Sequence, residues 1–527
     1  MLDRPARTTA VSLLAGIIGL VGSPASALPE APVAPDALDA PTVKRPHIVV
    51  AMIDDLGWQD VSVPFGPEAT PFNQRYRTPN LARLAERGTL FTDGYAASPV
   101  CTPTRTAFMT GLHPGRTGIT YWTLHADRDN STGHPRLTAP EWRLTGLDDT
   151  DITLAGLLDD AGYHTIHAGK AHFGAIGTPG ADPTNLGFDV NIAGHAAGGP
   201  GSFHGIHDFG ARKRQGGTGP SVWDVPGLEE YHGRDTHLTE AVTEKAVAAL
   251  RAGVATGAPV FLHFAPYAVH APIMPNHRYL HRYEGLHPTE AAYATMIESM
   301  DAGLGRILDT LDELGIADET IIVFLGDNGG LSAHARGGPP HVHNAPLRSG
   351  KGSAYEGGVR VPFAIALPGS ADDGRRVATP VTAIDLLPTL AELAGVEVPA
   401  ALADRLDGES LVPLLDADAP GTGPAADRPL VWTMPHQWGA RGPGIEPFTA
   451  IRRGDWKLLW FHDGPRVELY DLAADLGETT DVSASHPEIV RELLADLDAW
   501  YADTGAARSI VTETGRPVPL PSASSPR

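Results

Sequence analysis

Cysteine is almost absent from this chain, since Cys101 is the only one among 527 residues. A single cysteine cannot form a disulfide within its own chain, which excludes cross-linking as its role. Thr102 suits the N-cap and Pro103 the first turn of a short helix that Gly111 can end. Cys101 would then lie at a helix N-terminus, where free N–H groups and the positive end of the helix dipole favour an anion. This position predicts a nucleophile that acts on a negatively charged substrate.

Positive charge is also scarce, and the formal net charge is −23. Such an acidic balance excludes a general nucleic-acid-binding surface. Only six of the 40 basic residues are lysines, which leaves 34 arginines. Two of the six, Lys170 and Lys351, lie in glycine-rich motifs, where a compact ammonium group could contact an anion. The counts alone leave chance as an equally good explanation.

No apolar run in the chain is long enough to span a bilayer, and the run at 11–21 is too short. It follows two arginines and precedes the small residues Ala-Ser-Ala at 25–27, a pattern typical of a secretory signal peptide. We therefore predict a signal peptide at 1–27, a flexible leader at 28–46, and export to the periplasm or the extracellular space. A chain without spare thiols fits an oxidising compartment, and no cysteine near the cleavage site could carry a lipid anchor.

Continuous apolar runs predict strands that are buried on both faces, as in a parallel sheet. These runs lie at 48–53, 164–169, 260–264 and 320–325. Apolar residues at helical spacing predict helices at 151–161 and 293–311. The alternation predicts an α/β fold, with a large, mostly parallel sheet sandwiched by helices and ligands beyond the carboxyl ends of the strands.

The composition changes along the chain and predicts its organisation. We expect a catalytic domain at 47–415, and a smaller C-terminal α+β subdomain with an antiparallel sheet at 428–505. A Pro/Ala/Gly-rich linker separates the two. The Gly/His-rich segment at 194–219 lacks periodicity and is predicted to be a long active-site loop. The Pro/Ser-rich tail at 517–527 is predicted to be disordered.

Oxygen donors follow two of the predicted strands. Asp54 and Asp55 come directly after the first strand, and Asp327 and Asn328 follow the strand at 320–325. Each pair alone could be a strand-end cap or a turn. If they converge at one edge of the sheet, they suit a calcium-type or magnesium-type ion better than zinc.

Histidine is abundant, with 23 in the chain, so that any single one is weak support for a site. His172 and His270 are better placed than most, because each follows a predicted strand. We assign His334, His341 and His343 to a mobile rim loop outside the site, since their surroundings are rich in proline and glycine.

Taken together, these motifs resemble those of the type I sulfatases, which belong to the alkaline-phosphatase superfamily. The resemblance runs through nearly the whole chain in the family's order: 54–57 (Asp-Asp-Leu-Gly), 101–105 (Cys-Thr-Pro-Thr-Arg), 169–172 (Gly-Lys-Ala-His), 270–272 (His-Ala-Pro), 326–329 (Gly-Asp-Asn-Gly), 350–352 (Gly-Lys-Gly), 355–358 (Tyr-Glu-Gly-Gly), 456–458 and 469–472. The resemblance implies the alkaline-phosphatase-like fold. It also implies that a maturation enzyme converts Cys101 into 3-oxoalanine, also called Cα-formylglycine.

The resemblance further implies a set of metal ligands for Ca²⁺, with Mg²⁺ as the alternative. These are Asp54, Asp55, Asp327, Asn328 and the modified residue 101. The aldehyde at position 101 hydrates to a gem-diol, and one hydroxyl attacks the sulfur of a sulfate ester to form a sulfo-enzyme intermediate.

The remaining site residues receive their roles from the same resemblance. Arg105, Lys170 and Lys351 offset negative charge during sulfuryl transfer. His270, helped by Lys351, protonates the leaving oxygen, and His172 accepts the proton of the second hydroxyl so that sulfate leaves.

Two positions depart from the family pattern. Thr104 replaces a commoner serine but keeps the hydroxyl, and Ala171 replaces a bulky aromatic residue, from which we expect a wider pocket.

Two other functions stay open at this point. The chain could hydrolyse phosphonate or phosphate esters, or it could bind sulfated glycans without catalysis. For a sulfatase, the alcohol half could be a carbohydrate or an aryl group, and aromatic residues at 121–122 and 202–231 could stack on either. The sequence leaves the oligomeric state open.

Overall fold

A computed structural model describes residues 45–332, 336, 339–370, 374–416, 423–464 and 466–524. The predicted signal peptide and nearly all of the predicted leader lie outside these residues. Within the described ranges, every helix is either too short or too polar to cross a bilayer.

The strands in chain order are β1 (His47–Ile53), β2 (Thr89–Phe91), β3 (Gly94–Tyr95), β4 (Leu137–Thr138), β5 (His164–Gly169), β6 (Val190–Ile192), β7 (Val260–Ala265), β8 (Thr320–Gly326), β9 (Phe363–Ala366), β10 (Arg376–Val377), β11 (Val381–Thr382), β12 (Leu430–Met434), β13 (Phe448–Arg453), β14 (Trp456–Phe461), β15 (Val467–Asp471), β16 (Ile510–Val511) and β17 (Arg516–Pro517). The helices are α1 (Pro71–Arg75), α2 (Pro79–Arg87), α3 (Cys101–Thr110), α4 (Pro114–Thr117), α5 (Leu154–Asp160), α6 (Ala211–Arg214), α7 (Leu238–Val254), α8 (Pro288–Glu313), α9 (Glu356–Val359), α10 (Leu386–Leu393), α11 (Ala400–Ala403), α12 (Val412–Leu415) and α13 (Pro487–Thr504).

The largest sheet has eight strands in the order β10-β2-β9-β8-β1-β7-β5-β6. Strand β9 pairs antiparallel with both of its neighbours, and the other pairs are parallel. This confirms the predicted mostly parallel α/β sheet. Four of the strands predicted from apolar runs, β8, β1, β7 and β5, are direct neighbours, so their carboxyl ends form one continuous edge.

The alternation of side chains along β1 explains why helices cover both faces of the sheet. Val49, Ala51 and Ile53 point into a core with α2, α7 and α8. Ile48, Val50 and Met52 point into a second core with α3, α5 and α10. Because every residue of β1 is buried, the strand reads as a continuous apolar run rather than an alternating one.

The predicted helix at 293–311 is the central part of α8. The structure begins it earlier, at Pro288, because the His287 ring accepts a hydrogen bond from the N–H of Thr289 and proline fits the first turn. Leu314 caps the C-terminal end of the helix, and Gly315 follows with φ +69°.

The C-terminal part contains an antiparallel sheet in the order β12-β13-β14-β15. Helix α13 packs on one face through Leu493, Leu494 and Leu497, and the other face packs on residues near the carboxyl edge of the large sheet. The predicted antiparallel subdomain is therefore present, with β12 as a strand that the sequence did not indicate.

The structure describes the tail after Arg516 as far as Ser524, which includes part of the segment 517–527 that composition predicts to be disordered. Strand β17 pairs with β16, and Val518 is 4% exposed in the core under α13. A single buried apolar residue and a strand pairing offset the low helix and strand propensity of this segment.

Candidate active site

The carboxyl edge of the large sheet collects the polar groups that follow four neighbouring strands. The structure brings together Asp54 and Asp55 after β1, Asp327 and Asn328 after β8, Lys170 and His172 after β5, and His270 after β7. Ile53 and Gly326 are paired residues at the ends of β1 and β8, so the two acidic pairs start side by side. Sheet order therefore makes neighbours of residues that are far apart in sequence.

Helix α3 carries the single cysteine at its first residue, where Cys101 is 4% exposed. The helix begins before the predicted N-cap, since Val100 is the cap residue. The hydroxyl of Thr102 is used elsewhere, because it accepts a hydrogen bond from the N–H of Thr123 at 3.2 Å. Gly111 ends the helix in the left-handed conformation, as predicted. The cysteine thus lies at a helix N-terminus on the carboxyl side of the sheet.

Arg105, one turn into α3, joins the helix to the ends of two strands. Its Nε donates to Asp327 Oδ2 at 2.8 Å, and its Nη1 donates to the carbonyl oxygen of Lys170 at 2.8 Å. Burial alone would lower the pKa of Arg105, but the carboxylates of Asp327 and Asp54 raise it. The guanidinium therefore stays charged and holds α3 against the acidic edge.

The two remaining cations each contact one aspartate. Lys170 Nζ donates to Asp54 Oδ1 at 2.7 Å, and Lys351 Nζ donates to Asp55 Oδ1 at 2.5 Å. Burial of Asp54 raises its pKa well above the usual value, although Lys170 opposes the shift. Burial would also raise the pKa of Asp55, but Lys351 and His270 overcome it and lower the pKa.

Three oxygen atoms at this edge are buried and have no hydrogen-bond donor: Asp54 Oδ2, Asp55 Oδ2 and Asn328 Oδ1. Buried polar atoms without partners are costly and rare in folded proteins. A cation that coordinated all three would remove this cost, and carboxylate and amide oxygens are the ligands that Ca²⁺ and Mg²⁺ prefer. The residues present therefore fit a hard divalent cation.

The charge balance agrees with that fit. The site pairs three carboxylates, Asp54, Asp55 and Asp327, with three basic groups, Arg105, Lys170 and Lys351, so that their formal charges cancel. A divalent cation would make the formal charge of the site positive, which favours an anionic substrate. Within the described residues, one group of three possible metal-ligating side chains has its ligand atoms within 4.8 Å of one another: Asp54, Asp55 and His270.

His172 has a defined tautomer. Its Nε2 lies 2.8 Å from the carbonyl oxygen of Thr123, which can only accept, so Nε2 carries the proton. Its Nδ1 is buried and has no hydrogen-bond partner. Burial lowers the pKa of His172 well below its usual value, and Lys170 adds to the shift. The neutral ring therefore presents an unprotonated nitrogen inside the protein.

His270 has the opposite tautomer. Its Nδ1 donates to the carbonyl oxygen of Ala271 at 2.6 Å, and its Nε2 lies 3.7 Å from Asp55 Oδ2. Burial lowers the pKa of His270 to about 3, with Lys351 lowering it further and Asp55 opposing. The ring is 23% exposed, in contrast to His172, which is buried.

Two site residues adopt the left-handed backbone conformation without being glycine. Asp55 has φ +57° and His172 has φ +56°. This conformation costs about 1–2 kcal/mol for a residue with a Cβ. Both side chains face the site, so backbone strain is concentrated where the chemistry would take place.

Comparison with known proteins identifies the family. The sulfatase family model matches residues 46–396, which is more than half of the chain, and the model of the C-terminal part of N-sulphoglucosamine sulphohydrolase matches residues 350–502. The chain belongs to the sulfatase family. It is 28% identical to a sulfatase of Formosa agariphila (strain DSM 15362 / KCTC 12365 / LMG 23005 / KMM 3901 / M-2Alg 35-1), over 91% of this chain and 92% of that protein.

Two further similarities concern this sulfatase. It is 32% identical to the N-acetylgalactosamine-6-sulfatase of Sus scrofa, over 70% of this chain and 66% of that protein. The crystal structure of Ps i-CgsB in complex with k-i-k-neocarrahexaose superimposes with a TM-score of 0.70 at 28% identity, over 88% of this chain and 94% of that one. The predicted family, fold class and enzyme class are confirmed.

The rim of the sulfatase site differs from the predictions in two details. Tyr121 is 2% exposed and cannot serve as an open stacking surface, whereas Trp122 is half-buried. Ala171 is fully buried in the core between the sheet and α3, so it does not open a wider pocket. The hydroxyl of Thr104 bonds to the backbone N–H and carbonyl of Ser98, so threonine serves in place of serine there.

Of the three histidines that we predict to lie on a mobile rim loop outside the site, two are among the described residues, and one of these two is buried. His343 is buried and bonds to the carbonyl oxygen of Ser332, and His341 is half-buried. His334 lies outside the described residues.

Sequence reasoning missed three contributors to the sulfatase site. The Thr123 carbonyl sets the tautomer of His172, but any residue offers a carbonyl, so no sequence signal existed. Trp438 lies against Gly352, with its ring centre 5.9 Å from Lys351 Nζ. Gly198 and Gly199 abut the two site histidines. A glycine pair in a predicted active-site loop was the one available hint.

Proposed function

We propose that this sulfatase hydrolyses the sulfate ester of a carbohydrate, using an aldehyde formed at position 101 and a Ca²⁺ ion, with Mg²⁺ as the alternative. The observation that carries the proposal is the set of three buried oxygens without donors, Asp54 Oδ2, Asp55 Oδ2 and Asn328 Oδ1, at the edge where the Cys101 helix docks. A non-catalytic glycan binder would not need buried oxygens left open to a cation.

Asp54, Asp55 and Asn328 would hold the cation, with Asp327 beside them. When bound, the cation would polarise a sulfate oxygen and favour deprotonation of the attacking hydroxyl. Asp327 already accepts two hydrogen bonds, from the N–H of Asp55 at 3.1 Å and from Arg105 at 2.8 Å. Its role is therefore to fix the two acidic loops relative to α3 as well as to add negative charge.

The hydrated aldehyde at residue 101 would supply a hydroxyl nucleophile and a second hydroxyl whose deprotonation releases sulfate. Arg105 lies one helical turn after residue 101 on α3, and Lys351 contacts Asp55 at the same edge of the sheet. They would attract the sulfate group and stabilise the negative charge that develops on its oxygens.

Lys351 and His270 would act on the alcohol oxygen that leaves when the sulfate ester is cleaved. Burial works against a charged Lys351, but Asp55 outweighs it and raises the pKa, so the ammonium keeps its proton at neutral pH. The pKa of His270 is about 3 in the free protein, so that this ring needs the charge of a bound sulfate ester to gain a proton. Because its raised pKa makes Lys351 a weak acid, His270 would protonate the leaving oxygen once the substrate is bound, and Lys351 would help through its positive charge.

His172 would accept the proton of the second hydroxyl at its Nδ1. Its Nε2 is held by the carbonyl of Thr123 and lies 3.0 Å from the hydroxyl of Thr102, the residue next to Cys101, so Nδ1 is the nitrogen left to accept a proton. Its lowered pKa keeps Nδ1 unprotonated over the whole neutral range, which is what a proton acceptor requires.

A carbohydrate substrate is supported by two observations. Trp438 is half-buried with its ring centre 5.9 Å from Lys351 Nζ, and Trp122 is half-buried beside Tyr121, which also packs on Trp438; both tryptophans can stack on a sugar ring. A similar solved structure, Ps i-CgsB, is described in complex with k-i-k-neocarrahexaose. An aryl sulfate would fit the same aromatic surroundings and serves as a convenient chromogenic substrate.

The test uses protein co-expressed with a formylglycine-generating enzyme. Intact mass and peptide mapping should show the aldehyde at position 101, and calcium-dependent release of sulfate should be seen from a panel of sulfated oligosaccharides. Matched phosphate and phosphonate esters should turn over far more slowly, and the Cys101→Ala variant should be inactive. An unmodified thiol in the native protein, or a preference for phosphorus esters, would contradict the proposal.

We also propose export through the signal peptide at 1–27. N-terminal sequencing of the protein purified from its native host should begin near residue 28. A chain that retained its initial methionine in the native host would contradict this assignment.

A further inference from the structure

Two adjacent glycines in the Gly/His-rich segment lie against the two site histidines. A Cβ built on Gly198 would lie 2.6 Å from His172 Nδ1, and one built on Gly199 would lie 2.7 Å from His270 Nδ1. Real Cβ atoms essentially never approach other heavy atoms this closely. One dipeptide therefore touches both imidazole rings, although the rings follow different strands.

The need for glycine at these positions comes from the rings and not from the backbone. Neither Gly198 nor Gly199 is among the residues with positive φ, so an alanine could adopt either backbone conformation without strain. At Gly198, the three heavy atoms nearest to an added Cβ all belong to the His172 ring. A methyl group would thus collide with the imidazole specifically.

We propose that Gly198 and Gly199 form a positioning element that fixes the two imidazoles, each for a different step of the reaction. The inference rests on the proposed function of His172 and His270. Neither glycine touches the reacting atoms, and each would act through the ring that it contacts.

The two rings should respond differently to a methyl group. His172 is 1% exposed and held through its Nε2 by the carbonyl of Thr123, so it cannot turn away without losing that bond. His270 is 23% exposed and held by one bond to Ala271, so it can swing towards solvent. A change at Gly198 therefore displaces or tilts a trapped ring, whereas a change at Gly199 expels a mobile one.

The two proposed steps depend on different rings. In the first step, a hydroxyl of residue 101 gives its proton to a carboxylate of the acidic edge and its oxygen bonds to sulfur, while the S–O bond to the alcohol breaks and the alcohol oxygen gains a proton from His270. Sulfate leaves when the second hydroxyl on residue 101 gives its proton to His172, the carbonyl re-forms, and the C–O bond to sulfate breaks. The first step should depend on Gly199 and the second on Gly198.

The experiment compares Gly198→Ala and Gly199→Ala in the mature, calcium-loaded protein. With Gly199→Ala, turnover should fall at least about tenfold for sugar sulfates, whose alcohols are poor leaving groups, and much less for 4-nitrophenyl sulfate. With Gly198→Ala, steady-state turnover should fall about tenfold or more for both substrates. A burst of one equivalent of nitrophenol per active site should nevertheless remain, because alcohol release precedes the impaired step.

The matched control is Gly217→Ala, in the same glycine-rich segment. Its Cβ would meet one carbonyl oxygen at 3.4 Å, that of Arg212, and its φ is not positive. This variant should keep wild-type turnover, burst amplitude and leaving-group dependence. Crystal structures of the two test variants should show the adjacent ring displaced.

The double variants Gly198→Ala/His172→Ala and Gly199→Ala/His270→Ala address stability independently of activity. Removing the ring removes the collision, so each double variant should recover most of the melting temperature lost by its glycine variant. If a single glycine variant fails to fold, its double variant should fold again. The proposal is overturned if the single variants keep wild-type kinetics, if both lose activity equally on both substrates without a burst, or if removing the ring restores no stability. Absence of the aldehyde or of sulfate release in the wild type would instead refute the proposed function.

Discussion

Two buried ionic clusters lie within a few residues of each other in sequence and differ in one respect. The active-site cluster around Asp54 and Asp55 leaves one oxygen of each carboxylate without a donor. The carboxylate of Asp60 has donors on both oxygens: Arg336 donates to both, at 2.9 and 3.0 Å, and Tyr293 donates to Oδ2 at 2.7 Å. All of these side chains are essentially inaccessible to solvent.

This difference distinguishes a candidate metal site from an ion pair that only stabilises the fold. In the Asp60 cluster, an arginine with fixed donor geometry satisfies a carboxylate completely, which leaves nothing for a cation to bind. In the active-site cluster, lysines contact one oxygen of each carboxylate and leave the other open. Burial and charge are therefore similar in the two clusters, and the unpaired oxygens are what indicates a metal site.

The largest difference between the two clusters is expected when Asp54 is replaced. The Asp54→Asn variant should lose roughly 10²–10³-fold in turnover, because a cation ligand and its charge are removed. It should also lose the rise in melting temperature that calcium gives the wild type. The matched Asp60→Asn variant should start from a lower melting temperature and keep the calcium-induced rise. A calcium response that disappeared in Asp60→Asn and persisted in Asp54→Asn would reverse the assignment.

The second test asks whether the Asp60 cluster is structural. Arg336→Met leaves the Asp60 carboxylate buried without its counter-ion, which should cost about 3–5 kcal/mol in the free energy of unfolding. Urea denaturation measures this loss. The double variant Asp60→Asn/Arg336→Met removes the charge as well, so it should be more stable than Arg336→Met alone. Equal stability of the single and double variants would show that charge pairing is not the cause.

A third buried ionic cluster extends the comparison to the pH dependence of stability. Lys457 lies between two carboxylates, 2.8 Å from Glu356 and 3.0 Å from Glu478. Burial raises the pKa of Glu478 to about 7, although Lys457 opposes the shift. Burial would raise the pKa of Glu356 too, but Lys457 and Arg360 overcome it and lower the pKa to about 2.

The sign of the pH effect follows from these values. Between pH 4.5 and 7 the folded protein keeps a proton on Glu478 that the unfolded chain has lost, so stability falls as the pH rises through this range. The fall should be on the order of 1–3 kcal/mol. Glu478→Gln should flatten it in urea titrations at several pH values, whereas Glu356 titrates below this range. An unchanged slope in Glu478→Gln would exclude Glu478 as the titrating group.

The smallest expected effect concerns the rim of the active site. Trp438→Ala should raise KM for a sulfated oligosaccharide about two- to tenfold with kcat nearly unchanged, because stacking contributes about 0.5–1.5 kcal/mol. Trp456→Ala, a half-buried tryptophan that packs on His486, is the control and should leave KM unchanged. A fall in kcat at constant KM would point to a role of Trp438 in the chemistry itself.

Much of the site could be predicted from the sequence because its residues follow strands. The apolar runs that become β1, β5, β7 and β8 are visible as runs because both faces of a parallel sheet are covered. The polar residues that follow each run had to meet at the carboxyl edge once these strands became neighbours. The helix at Cys101 and its stop at Gly111 were also predictable from local turn chemistry, although its first residue was not.

What the sequence by itself determined is thus the set of strands and helices, the family motifs and the chemical types of the groups at the sheet edge, because these depend on local patterns. The tertiary structure decided which oxygens of Asp54, Asp55 and Asn328 lack donors and which nitrogen of each histidine carries the proton. It also placed the N–H of Asp55 against Asp327, 272 residues away. Such pairings depend on distances of a few tenths of an ångström between remote segments, which the order of strands sets and no local pattern encodes.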